Sequence, residues 1–241
     1  MLPILLIPGL NCSARLFASQ IPQLWRFGSV TIANHTCGET VETIADQILK
    51  SAPPRFTLVG FSMGGYIAFE IMRRAREQVA RLGLIDTGAR ADTTEQSERR
   101  KQRIEMAQSG RFSESLDLQF PLVVHPSRQG DATLRETYRT MAMECGADAF
   151  VRHLKVDMSR PDSRADLAGI RCPTTIMVGD GDQLTPPVLA EEIAHGINGA
   201  RLLVIPGSGH LSPLEQPTDV TQALIDLLRI PVDGDDFSEM G

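Results

Sequence analysis

Short, continuous apolar runs recur along this chain and alternate with stretches in which apolar residues return every three or four positions. The runs are rich in β-branched residues, which is typical of strands buried on both faces of a parallel sheet. They predict six strands, at residues 4–7, 29–33, 56–60, 80–86, 174–178 and 201–205. The stretches with helical spacing predict helices at residues 15–24, 40–49, 66–72, 187–195 and 219–228. This alternation predicts right-handed βαβ units in a doubly wound α/β fold with helices on both faces.

The alternation stops after the fourth predicted strand, where the chain becomes polar and helical. Pro121 and Pro126 divide this region into predicted helices at 94–109, 113–120, 133–144 and 147–158. A segment inserted after a strand of a parallel sheet lies near the carboxyl ends of the strands, where such sheets bind ligands, so we interpret it as a cap. An independent second domain is the alternative, disfavoured because a segment of this length and polarity would form a marginal core.

These boundaries define three predicted parts of the chain. They are an α/β core formed by residues 1–88 and 169–231, a helical cap at 89–168, and an acidic flexible tail at 232–241. The tail is rich in aspartate and contains glycine, so it is expected to fray.

Composition and charge exclude some kinds of partner. The chain is 42% hydrophobic and 22% charged, as in ordinary globular proteins, and its net charge is −6. An acidic balance argues against nucleic acid as a partner. The basic run Arg99-Arg100-Lys101 has glutamates on both sides, and we interpret it as a solvated helix face.

The cysteines and the N-terminus indicate where the protein resides. Cys12, Cys37, Cys145 and Cys172 are far apart and form no C-x-x-C pair, which favours free thiols in a reducing compartment. The apolar residues 1–7 lack a basic flank and are too short to span a membrane. We therefore predict a cytoplasmic protein without a membrane partner.

The third predicted strand runs directly into Gly60-Phe61-Ser62-Met63-Gly64-Gly65 and then into an apolar helix. A serine on a tight turn from strand to helix has a strained backbone, and glycines two residues before and after it remove the Cβ atoms that would clash. The helix N-terminus beside the serine favours a developing negative charge. Ser62 is therefore the predicted nucleophile.

A serine hydroxyl needs a base, usually histidine, and the chain offers five. His210 follows a predicted strand and lies in a glycine-rich loop, so it is the predicted base. His35 also follows a strand and is the second candidate. His125 and His153 fall in the cap and could contact substrate. His195 ends a helix and is interpreted as a partner of the helix dipole.

Three aspartates, Asp86, Asp180 and Asp182, follow predicted strands and lie between Ser62 and His210 in the chain. The order Ser…Asp…His therefore leaves all three open as the acid that orients the histidine. Asp180 and Asp182 are two residues apart in a turn, so one of them is expected to point away and bind the backbone.

Four motifs, in this order and separation, resemble those of the α/β-hydrolase fold, in a serine esterase or lactonase branch with a helical cap. Residues 8–11 resemble its oxyanion loop, with Pro8 replacing the usual histidine, and residues 60–65 resemble its nucleophile elbow. Residues 179–186 resemble its acid loop and residues 207–217 its histidine loop. In that acid loop the triad aspartate stands four residues before the proline, which implies Asp182.

The resemblance implies a sheet of about six strands, because the chain opens on the strand that normally comes third. It also implies a Ser62–His210–Asp182 triad, an acyl-enzyme, and an oxyanion hole formed by the N–H groups of Leu10 and Met63. No metal or organic cofactor is implied. The substrate implied is a small carboxylic ester or lactone.

Other functions of this fold remain open: C–C bond hydrolase, lyase, acyltransferase, cofactor-free haloperoxidase, or a ligand-binding module without turnover. Predicted substrate-binding residues are Asn11, Phe17, Phe120 and Met141. Further candidates for an apolar acyl pocket are Leu122, Met143 and Phe150. The alternative, which we favour for the aromatic and apolar residues, is that they pack the cap onto the sheet. Candidates for pairing with a substrate carboxylate are Arg15, Arg111, Arg139 and Arg152.

Overall fold

The computed structural model describes residues 1–233, in which six parallel strands form one sheet. The strands are β1 (Ile4–Ile7), β2 (Val30–Ile32), β3 (Phe56–Phe61), β4 (Val79–Ile85), β5 (Thr174–Gly179) and β6 (Arg201–Ile205). Their order across the sheet is β2-β1-β3-β4-β5-β6. The predicted parallel sheet of about six strands with helices around it is confirmed. Apart from its first two residues, the predicted flexible tail at 232–241 lies outside the described residues.

Helices cover both faces of this sheet. The α-helices are α1 (Ile21–Leu24), α2 (Val41–Leu49), α3 (Met63–Ala75), α4 (Thr94–Gln108), α5 (Phe112–Val123), α6 (Ala132–Cys145), α7 (Ala147–Ser159), α8 (Pro187–Gly196), α9 (Ser212–Glu215) and α10 (Pro217–Leu228). Short 3₁₀ helices are at Ala14–Phe17, Trp25–Phe27, Arg76–Gln78, Pro126–Arg128 and Arg164–Gly169. No helix within residues 1–233 has both the length and the apolar character needed to cross a membrane.

The sheet is buried on both faces because successive side chains of a strand enter different apolar clusters. In β1, Ile4 and Leu6 belong to one cluster, whereas Leu5 and Ile7 belong to the other. The first cluster is covered by α10 and by helices α5 to α7, and the second by α2, α3 and α8. Burial of every β1 side chain explains why this strand reads as a continuous apolar run.

Helices α4 to α7 are inserted between β4 and β5. The α4 helix begins with a capping box, in which Thr93 Oγ1 accepts the Gln96 N–H and the Gln96 side chain accepts the Thr93 N–H. Buried side chains of the insertion, including Leu116 and Leu154, share one apolar cluster with Leu6 of the sheet. The insertion and the sheet therefore stabilise each other through a common core.

Two predicted helices differ in the structure because of proline. The helix predicted at 15–24 is instead a 3₁₀ turn followed by α1, since Pro22 has no N–H and is accommodated only in the first turn of a helix. Conversely, Pro121 does not end a helix at residue 120. It lies in the last turn of α5, which continues to Val123. A proline so close to the end of a helix removes one backbone hydrogen bond and leaves the rest of the helix intact.

Glycines allow α3 to pack directly on the strands at the point where β3 ends. A Cβ atom at Gly64 would lie 2.1 Å from the carbonyl oxygen of Ile7, and one at Gly60 would lie 2.4 Å from the carbonyl oxygen of Gly64. Both obstacles are backbone atoms, which cannot move away as a side chain can. The start of α3 is therefore held against β1 by contacts that no larger residue permits.

We expect Gly64→Ala to lower the free energy of unfolding by about 3 kcal/mol or more, because the added methyl group forces the helix away from the strand. Urea denaturation measures the change. Gly130→Ala is the matched control, since no atom lies within 4 Å of a Cβ added there, and its effect should stay within about 0.5 kcal/mol. Equal stability of the two variants would contradict the packing argument.

Candidate active site

The turn between β3 and α3 presents Ser62 in a strained conformation, with φ 51° and ψ −115°. Positive φ is rare for a residue other than glycine and is retained only where the surrounding structure imposes it. The Ser62 N–H donates to the carbonyl of Ile85 at 2.9 Å, and the Thr87 hydroxyl donates to the Ser62 carbonyl at 2.8 Å. Hydrogen bonds to β4 and its following loop thus hold both sides of the strained residue.

Ser62, His210 and Asp182 form one hydrogen-bonded chain. His210 Nε2 lies 2.8 Å from Ser62 Oγ, and His210 Nδ1 lies 2.8 Å from Asp182 Oδ2. Asp182 follows β5 and His210 follows β6, so the two loops meet at the carboxyl edge of the sheet. The structure brings these three predicted residues together in the arrangement of a nucleophile, a base and an orienting acid.

Thr185 and the backbone complete the surroundings of the Asp182 carboxylate. Asp182 Oδ1 accepts the N–H groups of Leu184 at 2.8 Å and Thr185 at 3.0 Å, and Oδ2 accepts the Thr185 hydroxyl at 2.7 Å. These donors favour the ionised carboxylate and fix its orientation toward the histidine. Thr185 was not identified from the sequence, although its place between Asp182 and Pro186 in the acid loop is a usable signal.

Burial and charge act in opposite directions on this pair. Burial alone would lower the pKa of His210, but the charge and hydrogen bond of Asp182 outweigh it and raise the pKa above its usual value. Burial alone would raise the pKa of Asp182, but His210 and the donors of the acid loop hold it below its usual range. The pair therefore favours an ionised aspartate beside the imidazole.

Asp86 and Asp180, the other two acid candidates, bind backbone N–H groups, and in the case of Asp86 also the Ser212 hydroxyl, instead of the histidine. Asp180 Oδ1 accepts the Ser208 N–H at 3.2 Å, as expected for the aspartate of the turn that points away. Asp86 Oδ1 accepts the Gly179 N–H at 2.9 Å, and Oδ2 accepts the N–H of Ser212 at 3.2 Å and its hydroxyl. Burial, followed by the charge of Asp182, raises the pKa of Asp86 to about 8. Asp86 thus ties the ends of β4 and β5 to the loop that carries the histidine.

Glu215 anchors the histidine loop, a role that was not predicted from the sequence. Its Oε1 accepts the N–H groups of Gly209 at 2.9 Å and Leu211 at 3.2 Å, on either side of His210. Its Oε2 accepts the N–H of His125 at 2.8 Å, at the end of α5. One buried carboxylate therefore joins the histidine loop to the inserted helices.

The loop after β1 passes close to the serine. A Cβ atom at Gly9 would lie 2.8 Å from the Phe61 ring and 3.1 Å from Ser62 Cβ, so only glycine permits this approach. Within the described residues, the N–H groups of Leu10 and Met63 have no hydrogen-bond acceptor. An oxyanion hole requires free N–H groups near the serine nucleophile. The free N–H groups support the prediction that Leu10 and Met63 form the oxyanion hole, which remains a prediction.

Two buried histidines brace the same loop. The His35 and His153 rings stack, with centroids 4.7 Å apart and an interplanar angle of 9°. His35 Nε2 lies 3.0 Å from the Gly9 carbonyl, and His153 Nδ1 accepts the Asn11 N–H at 3.4 Å. Burial lowers the pKa of His35 to about 4 and that of His153 to about 3, the latter also through the neighbouring His35. Both rings are therefore neutral near pH 7.

A cavity of about 370 Å³ opens over Ser62 and His210, between the sheet and the inserted helices. None of the four predicted substrate-binding residues, Asn11, Phe17, Phe120 and Met141, lines it; all four are fully buried. Phe17, Phe120 and Met141 lie in the apolar cluster between insertion and sheet, which is the alternative role stated above. Leu122 does line the cavity, whereas Met143 and Phe150 do not. Residues 1–233 contain no cluster of side chains able to hold a metal ion.

The remaining polar candidates lie elsewhere. Neither His125 nor His153 lines the cavity, and His195 binds the Glu191 carbonyl at 2.7 Å within α8. The arginines Arg15, Arg111, Arg139 and Arg152 also lie outside the cavity wall. Part of the basic run in α4 instead lines the cavity: Arg99 and Arg100 do so, and only Lys101 belongs purely to the solvated face. Gln96, Arg100 and Arg103 are spaced four and three residues apart, so they share one face of α4. This spacing could have indicated from the sequence that they line one wall of the cavity.

A doubly wound parallel sheet with a strained serine after its third strand in the chain, and with helices inserted after the fourth, defines the α/β-hydrolase class of fold. A family model described as the alpha/beta hydrolase family matches residues 4–223. The chain therefore belongs to the alpha/beta hydrolase family.

Known proteins similar to this chain include esterases and a lactonase. It is 28% identical over 204 residues to pimeloyl-[acyl-carrier protein] methyl ester esterase from Aromatoleum aromaticum, covering 80% of this chain and 81% of that protein. A thermophilic esterase from Thermogutta terrifontis superposes with a TM-score of 0.86 at 29% identity, covering 95% of this chain and 90% of the other. The enol-lactonase from Burkholderia xenovorans LB400 has a TM-score of 0.82 at 21% identity, over 94% and 90% of the two chains, and shows the fold alone. The family and these relatives support a hydrolase.

We expect the histidine stack to make the protein less stable in acid. In the unfolded chain both histidines have a pKa near 6.5. In the folded protein the pKa falls to about 4 for His35 and about 3 for His153, so the unfolded state binds protons more readily. Their contribution to stability is complete above pH 6.5 and is lost as the pH falls toward 4. The Tm should therefore fall less steeply between pH 7 and pH 4.5 in His153→Gln than in the wild type, as measured by thermal denaturation.

The control for this prediction is His195→Gln, a change at an exposed histidine, whose Tm should follow the wild type at every pH. A His153→Gln variant with the same pH dependence as the wild type would show that the stack does not titrate in this range.

Proposed function

We propose that this protein is a serine hydrolase that cleaves a small carboxylic ester or lactone. The observation that carries the proposal is the hydrogen-bonded chain from Ser62 through His210 to Asp182, with 2.8 Å at each step, at the floor of a cavity of about 370 Å³. A cavity of this size is at the lower end of the range for small-molecule sites. The similarity to an esterase with a TM-score of 0.86 supports the same reaction class.

In the proposed reaction, Ser62 Oγ attacks the carbonyl carbon while His210 Nε2 takes the hydroxyl proton. Asp182 holds the imidazole in the required tautomer and stabilises the imidazolium that forms. The N–H groups of Leu10 and Met63 receive the developing oxyanion, and loss of one such donor typically costs about 3 kcal/mol of barrier. His210 then protonates the leaving alcohol, and a water activated by the same histidine releases the acid from the acyl-enzyme.

The inserted helices α4 to α7 act in this proposal as a cap that walls the cavity and limits the size of the acyl group. The chemistry described needs no metal or organic cofactor, because the protein supplies the nucleophile, the base and the oxyanion donors. The alternatives of lyase, C–C bond hydrolase, acyltransferase or haloperoxidase use the same residue types and differ in the bond that reacts and in the co-reactant. The cytoplasmic location stays a prediction.

We expect a fluorophosphonate to form one covalent adduct with the wild type and none with Ser62→Ala, because the reaction needs an activated serine beside oxyanion donors. Intact mass spectrometry measures the adduct. Turnover of 4-nitrophenyl esters and of lactones with matched acyl lengths then separates ester from lactone preference.

Each result of this experiment decides between the proposed function and a rival. An adduct without turnover on either panel would favour a binding module or a different reaction on the same fold. A wild-type protein that resists the fluorophosphonate would contradict the activated serine itself. An adduct that persists in Ser62→Ala would assign the nucleophile to another residue.

We expect Asp182→Asn to lower kcat by about 10³- to 10⁴-fold, because asparagine cannot stabilise the imidazolium. The pH profile of kcat/KM should also change. His210 must be neutral to act as a base, and its pKa is raised by Asp182 above 6.5, so activity in the wild type should rise with pH through a midpoint above that value. Without the carboxylate, burial lowers the pKa, and the midpoint of the residual activity should move to lower pH.

Asp180→Asn is the matched control, because Asp180 lies in the same loop and, within residues 1–233, its carboxylate accepts one hydrogen bond, from the Ser208 N–H. Its kcat should stay within about threefold of the wild type with an unchanged midpoint. If Asp180→Asn lost more activity than Asp182→Asn, our assignment of the acid would be wrong.

A further inference from the structure

One wall of the cavity is unusually rich in arginine. Five arginines line it among the described residues: Arg90, Arg99, Arg100, Arg103 and Arg160. Three of them, Arg99, Arg100 and Arg103, are on α4, and Arg100 and Arg103 are separated by about one helical turn. The cavity that holds the proposed nucleophile therefore also holds a dense set of positive groups.

Acidic side chains neutralise four of these arginines. The N···O distances are 2.9 Å for Arg90 with Glu192, 2.6 Å for Arg99 with Glu95, 2.9 Å for Arg100 with Asp92, and 2.7 Å for Arg160 with Asp92, while Asp157 is a second partner of Arg100. Four carboxylates thus balance four guanidinium groups around this part of the cavity.

Arg103 is the exception, because it makes no ion pair within residues 1–233. Its Nε donates to Ser115 Oγ at 3.3 Å, and its guanidinium carbon lies 5.0 Å from the centre of the Phe150 ring. Its Nη2 is buried and has no hydrogen-bond partner. Burial lowers the pKa of Arg103, and the neighbouring Tyr138 and Asp157 offset this only in part, so its charge carries a net cost in the folded protein.

We propose that Arg103 binds a carboxylate of the substrate, so that the natural ester or lactone is an anion. This inference rests on the proposed hydrolase function and names its substrate class. A carboxylate fits better than a phosphate ester, because the cavity wall has one unpaired positive charge and a phosphate carries close to two negative charges. The planar guanidinium also matches a carboxylate in two-point hydrogen bonding.

Two further groups of the same cavity wall can assist. Tyr138 and Gln119 line the cavity and carry hydrogen-bond donors. Burial raises the pKa of Tyr138 to about 12, so its hydroxyl keeps its proton and can donate. An anion beside Arg103 would therefore meet, within the described residues, one cation without an ion-pair partner and two neutral donors. The Asp157 carboxylate of the same wall is already paired with Arg100.

A purely structural role is the rival explanation for Arg103. Its bond to Ser115 and its contact with Phe150 join α4 to α5 and α7, which would stabilise the insertion without any ligand. That role explains Nε and the face of the guanidinium. Among the residues that the structure describes, however, it leaves the charge without an ion pair and Nη2 without a hydrogen bond. The two explanations differ in whether substrate charge matters.

The test compares two substrates that differ in one charge and one methyl group: mono-4-nitrophenyl adipate and its methyl ester. Release of 4-nitrophenol is measured for each and corrected for spontaneous hydrolysis. For the wild type we expect kcat/KM to be about 10- to 100-fold higher for the free acid, mainly through KM, as one charged hydrogen bond predicts. In Arg103→Leu this ratio should fall to about one, and Arg103→Lys should restore part of it. Arg111→Leu, an arginine of the insertion outside the cavity, should keep the wild-type ratio.

A wild-type ratio below about two, or a ratio that survives in Arg103→Leu, would overturn the proposal while leaving the hydrolase intact. The wild-type ratio decides this even if a variant fails to fold, which thermal denaturation would reveal. Calorimetric titration with adipate tests the site without turnover. If neither ester is hydrolysed and Ser62 resists the fluorophosphonate, the proposed function fails. In that case, adipate binding to the wild type that is lost in Arg103→Leu would still support the anion site. No adipate binding would contradict the anion site as well as the hydrolase function.

Discussion

The strained backbone of Ser62 is the constraint on which the rest of the site depends. A residue other than glycine at φ 51° and ψ −115° costs on the order of 1–3 kcal/mol, so the surrounding structure must impose it. Here β4 and its following loop hold the residue from both sides, and Gly60 and Gly64 let α3 touch the strands. Because the turn is held so tightly, the serine hydroxyl has a defined position against which the two other loops can be placed.

Hydrogen bonds to buried carboxylates fix the positions of the loops that carry Asp182 and His210. Asp182, Asp86 and Glu215 each accept backbone N–H groups, and together they join the ends of β4, β5 and α5 to the loop that carries His210. A buried carboxylate is stable only when such donors surround it, so its hydrogen bonds fix the backbone as firmly as the backbone fixes the carboxylate. The histidine stack of His35 and His153 braces the loop after β1 in a comparable way, with neutral rings in place of charges.

The insertion gives the site its individual chemistry. The sheet supplies the serine, histidine and aspartate, whereas α4 contributes a wall of arginines. In the described part of the chain, carboxylates balance the charge of each of these arginines except Arg103. A hydrolase fold can host many substrates because the strand ends and the covering helices vary separately. In this protein the proposed reacting groups and the groups that would recognise substrate charge therefore come from different parts of the chain.

The sequence by itself determined the six strands, the glycine-flanked serine and the loops with Asp182 and His210, because these features depend on local patterns: burial of continuous apolar runs, backbone strain and turn spacing. Only the tertiary structure decided which residues face the cavity. Phe17, Phe120 and Met141 were plausible pocket residues but lie in the core. Arg99 and Arg100, in contrast, fall in a run that reads as solvated and yet line the cavity. Helical spacing shows which residues share a face. Whether that face meets the core, the cavity or solvent depends on packing between segments that are distant in the chain. A local sequence pattern carries no information about this packing.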